Sequence, residues 1–461
     1  MKWNRWSVRN WRKNTSLFKR THWSFLIFFL FALILIFSFL YYETKDVTWL
    51  VFIITFMFFI LIISWKWFIG LVIIIFPSMF FFSLFNIPLP IKEINGNYRI
   101  SKVIPSGYII DDNYHKILLK SKSYFDIDDL INVQTLNVED LTFKKEKYSY
   151  YLRSLGVKYL ATNVSLSKVN NKTSIRSKII NYFLKGPNFY VKYISLILIG
   201  KKNDLNKELY EKIKHISILH LFVISGFHIN LLMSIILFFL KKLKLKNIYR
   251  NLIGFLIILM YLYLLNFSLS SLRAFLFLLL CFVNKKCLKN KFQKIDILTF
   301  LMLLMFAINP FVIFSISFIF TYLITFSILF VSDIKNKKIK VPLIMSFAYL
   351  SSIVISIYIS GLINIFGFIN SIVFSPITII NYVVSLFCFP FKNFLNYYYI
   401  FIDSIINIFY RNSVVININV DHNFVNIYYL SLFLVLSIIK HYIILKDRNL
   451  RIHKSLSLIK F

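Results

Sequence analysis

Residues 216–240, ISILHLFVISGFHINLLMSIILFFL, are long enough and apolar enough to cross a membrane as one helix. At 1.5 Å per residue they cover the roughly 30 Å of hydrocarbon in a bilayer. Lipid offers no partners to backbone amides, so such a run has to be helical. Polar or conformationally permissive residues nevertheless stand inside it: His220, Ser225, Gly226, His228 and Asn230. Because polar groups are costly at this depth, the stretch predicts a functional site as well as a membrane helix.

Similar apolar runs recur along the whole chain of 461 residues. Hydrophobic residues make up 58% and charged residues 16%, and the mean hydropathy of +0.69 excludes a soluble globular protein. The pattern predicts a polytopic α-helical membrane protein with about twelve transmembrane helices. The other runs are Trp23–Tyr42, Trp49–Ser64, Trp67–Phe85, Ile248–Phe267, Ser271–Val283, Ile295–Ala307, Phe311–Val331, Val341–Ile359, Ile365–Phe389, Phe394–Phe409 and Ile427–Leu445.

Residues 88–170 differ from the rest, with charges of both signs and short alternating stretches. Strands are predicted where these stretches are bounded by Gly, Pro, Asn or Asp. Five short strands in so few residues suit a small inserted β domain, closed or partly closed, of the OB-like kind. The strands are Asn97–Val103, Gly107–Asp112, His115–Lys120, Ile131–Val138 and Lys158–Leu166.

The distribution of basic residues predicts the topology. Loops 241–250, 284–294 and 333–340 are strongly basic, which places them on the cytoplasmic side, together with both termini, in the cytoplasmic membrane. We expect no cleaved signal peptide, since the first apolar run is too long and no small-residue cleavage site follows it. The predicted order is a basic cytoplasmic N-terminus (1–22), three transmembrane helices (23–87), the extracytoplasmic β domain (88–170), an interfacial linker (171–214), a transmembrane channel domain (215–446) and a basic cytoplasmic tail (447–461).

The net charge of +35 is compatible with a polyanionic substrate but does not prove one. AT-rich codons and basic cytoplasmic loops produce the same excess of lysine. The three cysteines, Cys281, Cys287 and Cys388, have no metal-ligand spacing. They predict neither a disulfide framework nor a metal site, and no cofactor is expected.

Three polar clusters stand within apolar runs. His220 and His228 are about 80° apart on an ideal helix and could share one face, while Ser225-Gly226 between them can break it. Two alternatives remain open, histidines that only bond neighbouring helices and a Ser225–His228 hydrolase, although no third group orients the imidazole. The other two clusters are Arg273 after a run of hydroxyl residues, whose fork suits a phosphate, and the kinks at Asn309-Pro310 and Asn370 with Pro376.

Taken together, these residues resemble the ComEC family of competence DNA-uptake channels. His220-Leu-Phe-Val-Ile-Ser-Gly-Phe-His228 is similar to its signature of a His-Leu pair followed by Ile-Ser-Gly-x-His. Ser271-Leu-Arg273-Ala274 resembles its Arg-Ala segment. The Asn309-Pro310 and Asn370-x5-Pro376 features occur in the family's order, but Lys201 after Gly200 replaces an acid. Ser317-Phe318-Ile-Phe-Thr321-Tyr resembles the family's Gly-Phe-Gln-Leu-Ser-Phe segment, in which Gly and Gln are replaced here.

The resemblance implies a channel, not an enzyme, that imports single-stranded DNA during natural transformation. The implied path comprises His220, Ser225, Gly226, His228, Asn230, Arg273, Asn309 and Asn370. Many members carry a C-terminal metallo-β-lactamase-like domain whose metal-binding motif we do not find here. A separate nuclease is therefore expected, with a DNA receptor, a cytosolic helicase, ATPase or single-strand-binding protein, and a possible homo-oligomer.

The β domain offers aromatic and basic residues of the kind that stack bases and follow phosphates. They are Tyr98, Arg99, Lys102, Tyr108 and Lys116. A transporter or flippase for another anionic polymer or a lipid-linked saccharide is the alternative, because its basic loops and polar membrane residues would look much the same.

Overall fold

The structure is a computed structural model in which most of the chain between residues 29 and 418 is described. The described residues are 29–63, 69, 73, 77–78, 80–84, 87, 93–104, 106–112, 115–121, 125, 127–135, 137–142, 144, 146–169, 174–331, 334, 337–418 and 428. The basic N-terminus (1–22), most of the run Trp67–Phe85, nearly all of the run Ile427–Leu445 and the basic tail (447–461) lie outside them.

The chain forms two compact units. The first comprises Met1–Ser174 and Leu280–Phe318, and the second comprises Ile175–Leu279 and Ile319–Phe461. Each unit is thus built from two separate parts of the sequence. The domain boundaries predicted from the sequence divide the chain in a different way, as consecutive segments, and they stay predictions.

The β domain of the first unit is one sheet of seven short strands. β1 is antiparallel to β2 and to β4, β2 is antiparallel to β3, and β3 is parallel to β6. The pairs β4–β7 and β5–β6 are antiparallel. The strands are β1 (Ile94–Ile104), β2 (Gly107–Asp112), β3 (His115–Leu119), β4 (Leu130–Thr135), β5 (Asn137–Asp140), β6 (Val157–Thr162) and β7 (Ser165–Lys168).

The pairing closes the sheet on itself. Gln134 pairs with Ser165 in β4–β7, and Asn137 pairs with Thr162 in β5–β6, so one register continues through both ladders. β4 with β5 therefore acts as one long strand, and β6 with β7 as another. Their pairing with each other links β3 back to β1, and five effective strands enclose an apolar core. That core includes Ile100, Ile110, Ile117, Ile131 and Val133, together with Ile94, Tyr108, Leu119, Tyr159 and Ala161.

Along the chain, helices of the first unit come before and after the strands of the barrel, and one helix lies between two of the strands. Phe39 is fully buried, and its ring contacts those of Phe82, Phe306 and Phe311 at centroid distances of 4.9, 5.7 and 5.2 Å. The helices are α1 (Phe29–Thr44), α2 (Val47–Ile63), α3 (Lys147–Ser154), which lies between β5 and β6, and α11 (Lys294–Ile308), followed by a 3₁₀ turn (Pro310–Phe314).

The regular structure described in the second unit is helical apart from one small ladder, β8 (Leu362–Asn364) with β9 (Val415–Asn417). Its core is rich in tyrosine, including Tyr190, Tyr193, Tyr382 and Tyr399. The helices are α4 (Ile175–Leu184), α5 (Asn188–Ile194) with a π turn (Ser195–Ile199), α6 (Asp204–His215), α7 (Leu219–Phe222), α8 (Gly226–Lys242), α9 (Asn247–Leu264), α10 (Leu269–Lys286), α12 (Ile316–Val331), α13 (Lys337–Ser360), α14 (Gly367–Cys388) and α15 (Lys392–Arg411).

Among the described residues, three helical stretches are long and apolar enough to span a membrane: Leu219–Lys242, Asn247–Leu264 and Gly367–Cys388. The prediction of an α-helical membrane protein with an inserted β domain is confirmed at this level, while the number of about twelve crossings stays a prediction. Among the described residues, Phe29–Thr44, Asn188–Ile199 and Ile316–Leu329 are apolar helical stretches of 10–17 residues. α15, in the run Phe394–Phe409, is not among the candidate spans, and its buried Asp403 binds Lys192 at 2.7 Å.

Candidate functional site

The membrane helix that carries the two histidines is broken at the predicted place. α7 ends at Phe222, Val223 adopts an extended conformation, and Ser225 precedes α8, which begins at Gly226. The imidazole Nδ1 of His228 accepts the backbone N–H of Ser225 at 3.1 Å and lies 3.1 Å from its hydroxyl. His228 thus caps the start of its own helix, and its ring proton belongs on Nε2. Backbone groups that a continuous helix would consume are freed at this break.

The break separates the two histidines. His228 is 3% exposed, and its ring packs edge-on against Tyr382 of α14 at a centroid distance of 4.8 Å. His220, on the short helix α7, is exposed. The expectation that both could share one helical face does not hold, because the extended residues between α7 and α8 reset the angle between their side chains. Asn230 is also exposed, and its amide donates to the Gly226 carbonyl at 2.8 Å.

At Gly226 the break lies against the helix that carries the second polar cluster, that of Arg273. A β-carbon at Gly226 would lie 3.3 Å from the β-carbon of Ala274, so α8 and α10 approach closely at this point. Arg273, the neighbour of Ala274, is 2% exposed, and its Nη2 donates to the Thr321 hydroxyl of α12 at 2.8 Å. Its guanidinium carbon is 6.0 Å from the ring centre of Tyr322. A buried arginine held by α12 fits a fixed position better than a snorkelling one.

Asn370 holds the loop that leads into the broken helix. Its amide donates to the carbonyl of Ile216 at 3.1 Å, and Asn364 does the same for His215 at 3.0 Å. Ser217, the next residue, has a positive φ of 64°. Asn370 therefore holds the loop before α7 in place through this hydrogen bond. It lies on α14, the helix that also carries Tyr382.

Asn309 has a different role, in the first unit. Its Oδ1 accepts the N–H of Phe311 and caps the 3₁₀ turn at 3.0 Å, while its Nδ2 donates to the carbonyl of Arg153 at 2.9 Å. Arg153, at the end of α3, lies over the Phe311 ring at 3.5 Å and pairs with Glu43 at 3.9 Å. Asn309 thus holds α3, the helix of the β domain, against the turn that follows α11 in the same unit.

Further contacts strengthen this attachment of α3. The Tyr150 ring stacks on that of Phe314 at 4.4 Å, and both Arg153 and Glu43 are buried, at 5% and 3% exposed. The sequence did not indicate these partners. Arg153 stands in a short polar helix and Glu43 in a break between apolar runs, so each resembled a surface residue.

The five residues of the β domain that were predicted to contact DNA differ in their exposure. Tyr108 is 6% exposed in the core, and its hydroxyl accepts the N–H of Phe125 at 3.0 Å. Its ring is not available for stacking on a base, because it faces the interior of the barrel. Tyr98 is half-buried against the same core, whereas Arg99, Lys102 and Lys116 are exposed.

No cluster of metal ligands occurs among the described residues. Ser225 and His228 contact each other, but the same imidazole nitrogen also accepts a backbone N–H, as expected for a helix cap. The contact therefore has a structural explanation that needs no catalysis.

Comparison with known proteins gives a family. The family model described as "Competence protein" matches residues 197–443, more than half of the chain, and confirms the resemblance seen in the sequence. "Uncharacterized protein MG316" of Mycoplasma genitalium is 33% identical over 237 residues, 50% of this chain and 61% of that protein. Its homolog in Mycoplasma pneumoniae is 28% identical over 204 residues, 43% of this chain and 51% of that one. The chain thus spans less than two thirds of these curated relatives, and no solved structure matches it.

Proposed function

Because this chain belongs to the Competence protein family, we propose that it forms the channel through which single-stranded DNA crosses the cytoplasmic membrane during natural transformation. The observation that carries the proposal is the match over residues 197–443. Within this region, the break before His228 and the buried Arg273 meet through the Gly226–Ala274 approach.

The chemistry of the second unit suits a polyanion. A strand that enters the membrane loses water from each phosphate, and the cost has to be offset by polar groups. Arg273 keeps its charge and offers a fork of donors, and the start of α8 at Gly226 presents backbone N–H groups with the positive end of a helix dipole. His220 and Asn230, both exposed, are further proposed contacts. Asn309 and Asn370 serve to position the elements around the path.

The β domain is the proposed receiver of the strand. Its closed pairing of five effective strands supports an OB-like barrel, a fold used widely for single-stranded nucleic acids. Tyr98, Arg99, Lys102 and Lys116 are the proposed contacts, and Tyr108 is left out because it is buried.

The proposal assigns the remaining steps to other proteins. In it the chain is a multi-pass protein with both termini in the cytoplasm, acts as a channel and not as an enzyme, and binds no cofactor. A DNA receptor delivers the duplex, a separate nuclease removes one strand, and a cytosolic helicase, ATPase or single-strand-binding protein pulls on the other. A homo-oligomer is compatible with this arrangement.

Uptake of labelled DNA into the DNase-protected cytosol tests the proposal. Cells that lack the chain, or carry Arg273→Ala or His228→Ala at normal membrane levels, are expected to lose uptake. The exposed Lys244→Ala, in the loop after α8, serves as a matched control and should retain it.

Two outcomes would redirect the assignment. If only the deletion abolishes uptake, the channel stands but the roles of Arg273 and His228 fall. If the deletion leaves uptake unchanged in cells that do take up DNA, the channel is contradicted. A flippase for a lipid-linked saccharide, or a transporter for another anionic polymer, would then explain the basic loops and polar membrane residues.

A further inference from the structure

The buried face of α14 is largely polar, although Phe374 on the same face is fully buried in the apolar core. Four polar side chains, Asn370, Thr378, Asn381 and Ser385, are all at most 6% exposed. At 100° per residue their positions fall within about 80° of the helix circumference. The opposite face carries apolar residues exposed from the bundle, among them Ile369, Ile380 and Phe387, at 55, 56 and 49%. A helix of this kind in a membrane has its polar side toward the protein interior.

Three of the four polar side chains are accounted for by protein partners. The Asn370 amide donates to the Ile216 carbonyl at 3.1 Å, and the Thr378 hydroxyl donates to the Ser375 carbonyl at 2.9 Å. The Ser385 hydroxyl lies 2.7 Å from that of Tyr399. These contacts are the interhelical and local bonds that ordinarily hold polar residues inside a membrane bundle.

Asn381 is the exception. Its side chain is 1% exposed, and neither Oδ1 nor Nδ2 has a hydrogen-bond partner among the residues that the structure describes. An amide can form up to four hydrogen bonds, and buried polar groups in proteins are nearly always satisfied by protein or by bound water. A leucine at this position would have packed without this unfavourable term.

The residue that follows Asn381 on α14 contacts the candidate site, since the Tyr382 ring packs on the His228 ring at 4.8 Å. The Tyr261 hydroxyl donates to the Leu198 carbonyl, in the π turn, at 2.8 Å. Asn381 is therefore one residue away along α14 from the side chain that contacts His228, and π turns such as Ser195–Ile199 are frequent at functional sites.

We propose that Asn381 lies in the wall of a water-containing passage through the second unit, and that the polar face of α14 lines it. The ligand of Asn381 is water, which supplies the donors and acceptors that the described protein groups do not. The identity of the polymer that uses this passage rests on the proposed function, whereas its hydration does not.

Cysteine accessibility tests the hydration of Asn381. In the full chain, with Cys281, Cys287 and Cys388 replaced by serine, Asn381→Cys is treated with a charged methanethiosulfonate in intact membranes. Ile380→Cys, next in sequence but on the apolar face, is the matched control. Water is needed to form the reactive thiolate, and a change of one pKa unit alters its fraction about tenfold. We expect Asn381→Cys to react at least about tenfold faster than Ile380→Cys.

Two additions keep the test decisive. Thr378→Cys, on the same face, should react with the charged reagent as well, which covers the case in which Asn381→Cys fails to fold. If both react no faster than Ile380→Cys, although all three thiols react after denaturation, the passage is contradicted, whatever the cells do with DNA. If both react quickly and added single-stranded DNA does not slow them, the water-filled passage stands and the proposed polymer is the part that fails.

Discussion

Arg153 shows how much a single residue can contribute to the position of the β domain. It carries a charge at 5% exposure, and its partners are the Glu43 carboxylate at 3.9 Å and the Phe311 ring at 3.5 Å. A buried pair contributes little net stability compared with well-packed apolar residues, but removal of one partner leaves an uncompensated charge. The pair is thus more important for holding α3 in one place than for overall stability.

Arg153→Met is expected to lower the free energy of unfolding by about 3 kcal/mol, because Glu43 would remain buried without its cation. The double variant with Glu43→Gln should recover most of that loss, since no charge is then left. Thermal unfolding of the purified chain in detergent measures both. Equal losses in the single and double variants would show that the pair is not the reason.

Arg273 offers a second test at the scale of one atom. Thr321→Val removes the hydroxyl that accepts from its Nη2 at 2.8 Å and preserves the shape of the side chain. The expected cost is about 1–3 kcal/mol, typical of a hydrogen bond to a buried charged group.

Thr325→Val, one turn further along α12, is the matched control and should cost much less. Denaturant titration of both variants measures the difference. Similar midpoints for the two would mean that Thr321 does not hold Arg273.

At the scale of elements, the helix break and the barrel differ in how far the sequence predicts them. Ser225-Gly226 inside an apolar run indicates the break, since glycine weakens a helix and serine precedes helices. The separation of His220 from His228 could not be predicted, because the angle at the break depends on the contact between Gly226 and Ala274. The strand Ile131–Val138 was predicted as one piece, and the structure divides it between β4 and β5 in a single register.

The close approach of α8 to α10 predicts that a large side chain at position 226 destabilises the protein. A β-carbon at position 226 would already lie 3.3 Å from the β-carbon of Ala274, so the further atoms of Gly226→Leu have too little space. Overpacking of this kind lowers the free energy of unfolding by about 1–3 kcal/mol. Ala274→Gly, combined with it, should restore part of the loss by opening space. The melting temperature in detergent measures both. No rescue by Ala274→Gly would contradict the contact.

The barrel has a pH-dependent element in β3. Burial, and then the charge of Lys158, lower the pKa of His115 below its ordinary value, and Asp112 opposes this less strongly. The unfolded chain therefore takes up the proton first as the pH falls below about 6.5, and stability decreases from there through the lowered pKa of the folded state.

His115→Phe retains the ring contact with Tyr159 at 5.5 Å but cannot be protonated. Its melting temperature should decrease less between about pH 7 and pH 5 than that of the unchanged chain. Parallel curves for the two proteins would exclude His115 as the cause.

At the scale of the whole molecule, composition predicts the class of protein and little of its detail. Mean hydropathy and recurring apolar runs indicate a helical membrane protein, and the part of the chain that the structure describes contains three helical stretches long enough to span a bilayer. The number of about twelve crossings stays a prediction, because the described residues hold three candidate spans and leave out most of two of the predicted apolar runs. Of the residues predicted for the DNA path, Gly226 lies against Ala274, the neighbour of Arg273, while Asn309 holds α3 in the other unit. The net charge, +35, agrees with a polyanionic cargo and with basic loops alike.

Transport by the purified chain tests the channel most directly. Vesicles that contain the chain and trap a single-strand-binding protein inside are given labelled single-stranded DNA, followed by DNase. The account predicts protected label in vesicles with the unchanged chain, and label close to that of empty vesicles with Arg273→Ala. Protected label that is the same with and without the chain, in vesicles where the chain is folded and correctly inserted, would contradict it.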